Sequence, residues 1–134
     1  MEIVTLPPTA TGPAALFTGH VWFDVIAPPQ PGIPPLKVNL VHFSPGARTA
    51  WHSHALGQTL HITEGAGYVQ SRGGELRKVL PGQTIYTPPG EEHWHGAAPD
   101  HFMSHLAMWV GTESPDVVET TWAEHVSEEE YPKA

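Results

Sequence analysis

Fifteen prolines and thirteen glycines spread through 134 residues leave this chain no room for long helices. Proline inside a helix removes a hydrogen bond and clashes with the preceding turn, and glycine weakens any helix that contains it. Short strands separated by turns meet neither objection. The stretch "HVWFDVI" (20–26) is rich in β-branched and aromatic residues and stops at "APPQPGIPP", whose prolines cannot join a ladder. "LKVNLVHF" (36–43) follows, and then "AWHSH" (50–54), "QTLHIT" (58–63), "GYVQSR" (67–72), "ELRKVL" (75–80), "QTIYT" (83–87), "HWHGA" (93–97) and "HFMSHLAMWV" (101–110). Glycine- and proline-bearing turns separate them, and this short, even spacing predicts an all-β sandwich or barrel.

The rest of the chain organises around that unit. Residues 1–19 read as an N-terminal arm lying over the domain, with "PAALF" as one turn. Residues 111–134 read as an acidic tail, in which Ser127 and Glu130 have the spacing of a capping box. No repeat or second domain is visible, so 1–134 is one domain with one core, burying roughly two thirds of its unfolded surface. The absence of cysteine excludes disulfides, a thiolate nucleophile and sulfur-ligated metal, so any metal here is held by nitrogen and oxygen. A net charge of −8 without a basic stripe argues against nucleic acid as a partner. Neither a basic leader nor an apolar run of about 18 residues is present, which points to no membrane association and a soluble, cytoplasmic protein.

Ten histidines remain to be explained. Side chains alternate faces along a strand, so His52 and His54 project to one side. Gln58 shares a face with Leu60 and Ile62, suited to the lining of a barrel, while Thr59, His61 and Thr63 face away. His93 and His95 again share a face with Trp94 opposite, and Met103, His105, Ala107 and Trp109 lie together. One His-x-His pair also arises on a solvated strand. Two same-face pairs, each flanked by a glycine-bearing turn, point instead to a metal site. His20, His42, His61, His101 and His125 are expected at the surface or hydrogen-bonded. Arg48, Glu91 and Glu92 are expected at the rim or surface, and Glu64 in solvent. Met103, Met108, Trp51, Trp94 and Trp109 read as core or interface rather than as a substrate box, with pocket-shaping the alternative for Trp109, which shares the His105 face.

Two motifs carry a family resemblance. Gly46, His52, His54, Gln58 and Gly65 follow the first cupin motif, with glutamine where glutamate is usual. Gly82, Pro88, Gly90 and His93 follow the second, with Ala97 where many members have asparagine. Over residues 36–110 the chain therefore resembles the cupins. The resemblance implies a jelly-roll β-barrel, the double-stranded β-helix, holding one metal through His52, His54, Gln58 and His93. More narrowly, "GARTAWHSHALGQTL", "GYVQ", "GEEHWHGAAP" and "SHLA" resemble the small single-domain cupins with hydroxynitrile lyase activity, in which glutamine is the expected fourth ligand. That likeness implies a manganese-dependent enzyme acting on aromatic cyanohydrins such as mandelonitrile. It also implies reaction roles for Thr49, His95 and His105, a variable pocket at Asn39, Val41 and Trp109, and a homodimer or higher homo-oligomer formed through the arm and a barrel edge.

The glutamine has a chemical consequence. Three neutral imidazoles and a neutral amide leave the charge of a divalent cation uncancelled, which makes a stronger electrophile, with positions open to an anion or alkoxide. Cyanohydrin cleavage needs a base for the hydroxyl proton and a stabiliser of negative charge. His95 and His105 are suited to proton transfer in either order, and Thr49, three residues before His52, to a hydroxyl contact or simply to its turn. Iron, cobalt, nickel or zinc also suit such donors. Two rival readings are a dioxygenase acting on an enolisable or aromatic substrate, and a non-catalytic small-molecule-binding module with a structural metal. The glutamine weighs against the first, and two inward histidines beyond the ligand set weigh against the second.

Overall fold

The computed structural model describes residues 1–134 and consists of strands and turns, with no helix and hence none long and apolar enough to cross a membrane. The strands are β1 (Ala10–Thr11), β2 (Phe17–Thr18), β3 (Val21–Ala27), β4 (Leu36–Phe43), β5 (Arg48–Thr49), β6 (His52–His54) and β7 (Gln58–Gly65). They continue with β8 (Gly67–Ser71), β9 (Arg77–Val79), β10 (Thr84–Thr87), β11 (His93–Ala97), β12 (Met103–Val110) and β13 (Thr120–Trp122). One sheet runs β1-β3-β4-β12-β7-β10. The other runs β13-β6-β11-β5-β2, with β8 on β11 and β9 on β8.

The inner faces of the two sheets meet in a core that includes Val21, Phe43, Leu60, Ile62, Val79, Met103 and Ala107. Strand β7 shows the reason: Gln58, Leu60 and Ile62 are buried, while Thr59 and His61 are half-exposed and Thr63 is exposed. This is the predicted alternation, and each fully buried apolar side chain such as Phe43 or Leu60 contributes about 1.5–3 kcal/mol. At the β7–β8 corner Gly65 takes a φ of +78°, and a Cβ there would lie 1.9 Å from the carbonyl oxygen of Phe102. Only glycine permits that crossing.

The stretch expected as one strand over 50–54 is two short pieces, β5 and β6, running along the same side of β11. Between them the amide of Ala50 donates to Leu16 in the arm, and that of Trp51 to Glu124 in the tail. Both flanking segments thus take part in the barrel wall. In the arm, "PAALF" makes the expected turn, with the amides of Leu16 and Phe17 donating to the Pro13 carbonyl.

The tail folds back over β11. Trp94, on the face away from the barrel interior, packs with Trp51, Val126 and Tyr131 in a second apolar cluster, so β11 is buried on both faces. The predicted capping box is present: the Glu130 amide donates to Ser127 Oγ at 3.1 Å and the Ser127 amide to Glu130 Oε1 at 2.9 Å. Arg48 departs from expectation. Instead of lying at the rim it is only 4% exposed, its guanidinium 4.2 Å from the Tyr131 ring centroid and donating to the carbonyls of Gly46 and Val126 and to Glu128. The returning tail supplies the acceptors that make burial of this charge tolerable.

Candidate active site

Strand pairing brings the two histidine pairs together. His52 lies directly opposite His93 in the β6–β11 register, and their ring centroids are 4.4 Å apart. His54 is 5.1 Å from His52 and 5.8 Å from His93, while His95 is 5.2 Å from His52 and 5.6 Å from His93. The ligand nitrogens of His52, His93 and His95 fall within 4.8 Å of one another. From the facing sheet Gln58 brings Oε1 to 3.3 Å from His93 Nε2. Thr49, His52, His54, Gln58 and His95 share a cavity of about 240 Å³ whose apolar walls include Phe17, Phe23, Val41, Trp109 and Trp122. His105 stands behind His95, with its Nε2 2.9 Å from His95 Nδ1.

The outer ring nitrogens decide which way these imidazoles face. His52 Nδ1–H donates to the Ala50 carbonyl at 2.9 Å and His93 Nδ1–H to the Glu91 carbonyl at 3.0 Å. Each neutral ring therefore carries its proton outward and turns a bare Nε2 inward. The His93 Nε2 lone pair then faces the Gln58 oxygen, two acceptors with no proton between them. His54 Nε2 is also buried without a partner. Acceptors that converge with no proton between them repel unless a cation lies among them, so these residues fit a divalent metal bound by nitrogen and oxygen.

Electrostatics favour the same state. Burial, aided by the charge that His93 would carry, pushes His52 well below 6.5 and His54 down to about 4. His93 is lowered by burial. Burial and then His105 push His95 well below the ordinary range, and burial takes His105 to about 4. All five are neutral at pH 7, able to ligate or to accept a proton. Thr49 Oγ1 accepts the His95 amide at 3.2 Å, which leaves its own hydroxyl hydrogen free to point into the cavity.

A cupin domain model matches residues 39–110. The chain belongs to the cupin family. It is 45% identical to a protein named (R)-mandelonitrile lyase from Granulicella tundricola, with 98% of each chain covered. The crystal structure of a cupin-like protein from Thermotoga maritima matches with a TM-score of 0.83 and 37% identity, covering 98% of this chain and 95% of that one. A polyketide cyclase from Streptomyces resistomycificus, at 20% identity and a TM-score of 0.70 over 98% of this chain and 90% of that one, shares the fold alone. The jelly-roll barrel expected from the two motifs is thus the fold of this cupin.

Several residues at the site of this cupin have no counterpart in the sequence reading. Trp122 stacks on His52 with centroids 4.6 Å apart, and Thr120 Oγ1 lies 3.1 Å from His54 Nδ1. Glu119 binds Lys37 at 2.8 Å and accepts the indole N–H of Trp109 at 2.6 Å. Burial opposes ionisation of Glu119, but the hydrogen bonds from Lys37 and Trp109 outweigh it and hold the carboxyl below its ordinary range. The β-branched and aromatic "TTW" at 120–122 was the one available signal, too short to stand out in the tail.

Proposed function

We propose that this cupin is a metal-dependent hydroxynitrile lyase that splits an aromatic cyanohydrin into an aldehyde and hydrogen cyanide and also runs the reverse addition. The observation that carries this reading is His95 Nε2: buried, unpartnered, on the cavity wall and backed by a second neutral imidazole. The name and 45% identity of the Granulicella relative support it.

Nε2 of His52, His54 and His93 with Oε1 of Gln58 would hold the ion, for which manganese is our choice. His54 rather than His95 completes that set because the outer nitrogen of His95 meets a second imidazole able to share a proton, whereas that of His54 meets a hydroxyl that only orients the ring. The bound ion supplies Lewis-acid stabilisation of developing negative charge. The protein's own groups do the rest. Phe17, Phe23, Trp109 and Trp122 give an aromatic substituent an apolar wall. Thr49 donates its hydroxyl to the substrate oxygen and so orients the C–OH bond. His95 Nε2 takes the hydroxyl proton, and its Nδ1–H donates to His105 Nε2, which spreads the positive charge over two rings. As the carbonyl forms, the C–CN bond breaks and cyanide leaves with its electron pair. The proton on His95 passes to cyanide, which departs as HCN and restores the neutral base. A proton transfer of this kind is worth ~10²–10⁴-fold in rate.

The test is benzaldehyde release from racemic mandelonitrile by protein produced with added manganese, with elemental analysis of the same sample and a metal-stripped control. Metal-dependent release with one enantiomer consumed faster is the expected result. Release no faster than in the stripped control overturns the lyase reading.

A further inference from the structure

The geometry points to Thr120 as a positioning residue for the metal centre, a side chain from outside the two cupin motifs that sets the ring of His54. This rests on the reading of His52, His54, Gln58 and His93 as metal donors.

The three histidines of that set are not held alike. His52 and His93 each donate Nδ1–H to the carbonyl two residues earlier in their own strand, at Ala50 and Glu91. Their rings are oriented by local backbone. His54 makes no such bond. Its Nδ1 meets the Thr120 hydroxyl, brought from 66 positions along the chain. Backbone carbonyls accept only, so they force the proton onto Nδ1 of His52 and His93. A hydroxyl accepts or donates, so Thr120 both orients the His54 ring and, by accepting, leaves Nε2 bare. Outer partners of this kind fix tautomer and direction at metal-ligating imidazoles.

The delivery of Thr120 is built into the fold. Strand β13 pairs with β6 in the register Thr120↔His54, Thr121↔Ser53 and Trp122↔His52. Alternation puts Thr120 and Trp122 on the cavity side, each beside the histidine opposite, and leaves Thr121 exposed on the other side. The strand is pinned at both ends. The Ala55 amide donates to the Glu119 carbonyl at 2.9 Å, and the Ala123 amide to the Trp51 carbonyl at 2.8 Å. The Glu119 side chain is fixed in turn by Lys37 and Trp109. Thr120 is therefore presented to His54 from a tethered strand.

The experiment is titration of the full, metal-stripped chain with Mn²⁺ by calorimetry, comparing wild type with Thr120→Val, Thr120→Ser and Thr121→Val. Thr120→Val keeps the side-chain shape but loses the hydroxyl, and is expected to weaken Mn²⁺ binding by about 10–100-fold. Thr120→Ser is expected to restore most of the affinity, and Thr121→Val to bind like wild type. Thermal unfolding of the stripped proteins separates loss of fold from loss of metal, and Thr120→Ala repeats the comparison should valine disturb the strand. Wild-type affinity in the variants lacking the hydroxyl, or equal weakening by Thr121→Val, overturns the role of Thr120 while leaving the donor set standing. A wild-type chain that takes up no Mn²⁺ overturns the donor set and Thr120 with it.

Discussion

Acid should destabilise the metal-stripped protein steeply, and His105 sets the scale. Its side chain is fully buried, and burial lowers its pKa from 6.5 to about 4. In the unfolded chain the same imidazole takes up a proton as the pH falls through 6.5, while the folded protein resists until about 4. The folded pKa is the depressed one, so stability is fully present above 6.5 and is lost as the pH falls toward 4. The gap of 6.5 − 4 = 2.5 pK units, at about 1.4 kcal/mol per unit, corresponds to about 3 kcal/mol from this residue. His52, His54, His93 and His95 are shifted the same way and add to the loss. Against the 5–15 kcal/mol typical of a domain this is a large fraction. Urea unfolding followed by tryptophan fluorescence between about pH 7 and 4.5 gives the slope. His105→Phe keeps a ring but removes the titration, so its stability should be lower at neutral pH yet fall less steeply, by about 1.4 kcal/mol per pH unit. Equal slopes for the two proteins, or a wild-type stability that is flat over this window, would refute the argument.

Other substitutions separate the parts of the site. His52→Ala is expected to lose metal and mandelonitrile turnover together, whereas His95→Ala keeps the metal and loses ~10²–10⁴ in kcat; a His95→Ala protein as active as wild type removes His95 from the chemistry. Glu119→Ala should release Trp109 from its tether and raise KM for mandelonitrile more than it lowers kcat, when variant and wild type are compared at equal metal content. An unchanged KM would mean that the indole is held by packing alone. Arg48→Met removes a buried guanidinium and leaves the Val126 carbonyl without its donor, for a loss of about 1–3 kcal/mol in urea unfolding. A loss within error would place the hold on the tail in the Trp51, Trp94 and Tyr131 cluster instead.

What was legible in the sequence was local. Strands 36–43, 58–63 and 93–97 stood out because their apolar periodicity is bounded by glycine and proline, and the structure has strands at Leu36–Phe43, Gln58–Gly65 and His93–Ala97. The motif glycines 46, 65, 82 and 90 all adopt φ between 77° and 89°, so their pattern recorded backbone turns directly. What was illegible depended on distant partners. A charged residue such as Arg48 belongs at the surface unless something meets it, and the acceptors that do, at Val126 and Glu128, lie in a tail whose course no local pattern specifies. The break between β5 and β6 has the same origin, because the amides of Ala50 and Trp51 are spoken for by Leu16 and Glu124.

The two His-x-His pairs sharpen that distinction. Written as sequence, His54 and His95 are equivalent: each is the second imidazole of a pair, each faces inward, and each ends with a buried Nε2 that has no protein partner. Their environments part at the other nitrogen. His95 Nδ1 meets the ring of His105, a neighbour able to share a proton, and that contact comes from strand β12 within the barrel. His54 Nδ1 meets the hydroxyl of Thr120, which orients the ring but offers no second base. An imidazole coupled to another imidazole is equipped to move a proton, and one anchored by a hydroxyl is equipped to hold still. In the reading proposed here the division between catalyst and ligand is therefore drawn by the outer partners, one from the barrel and one from the tail, acting on two residues that the motif alone leaves alike.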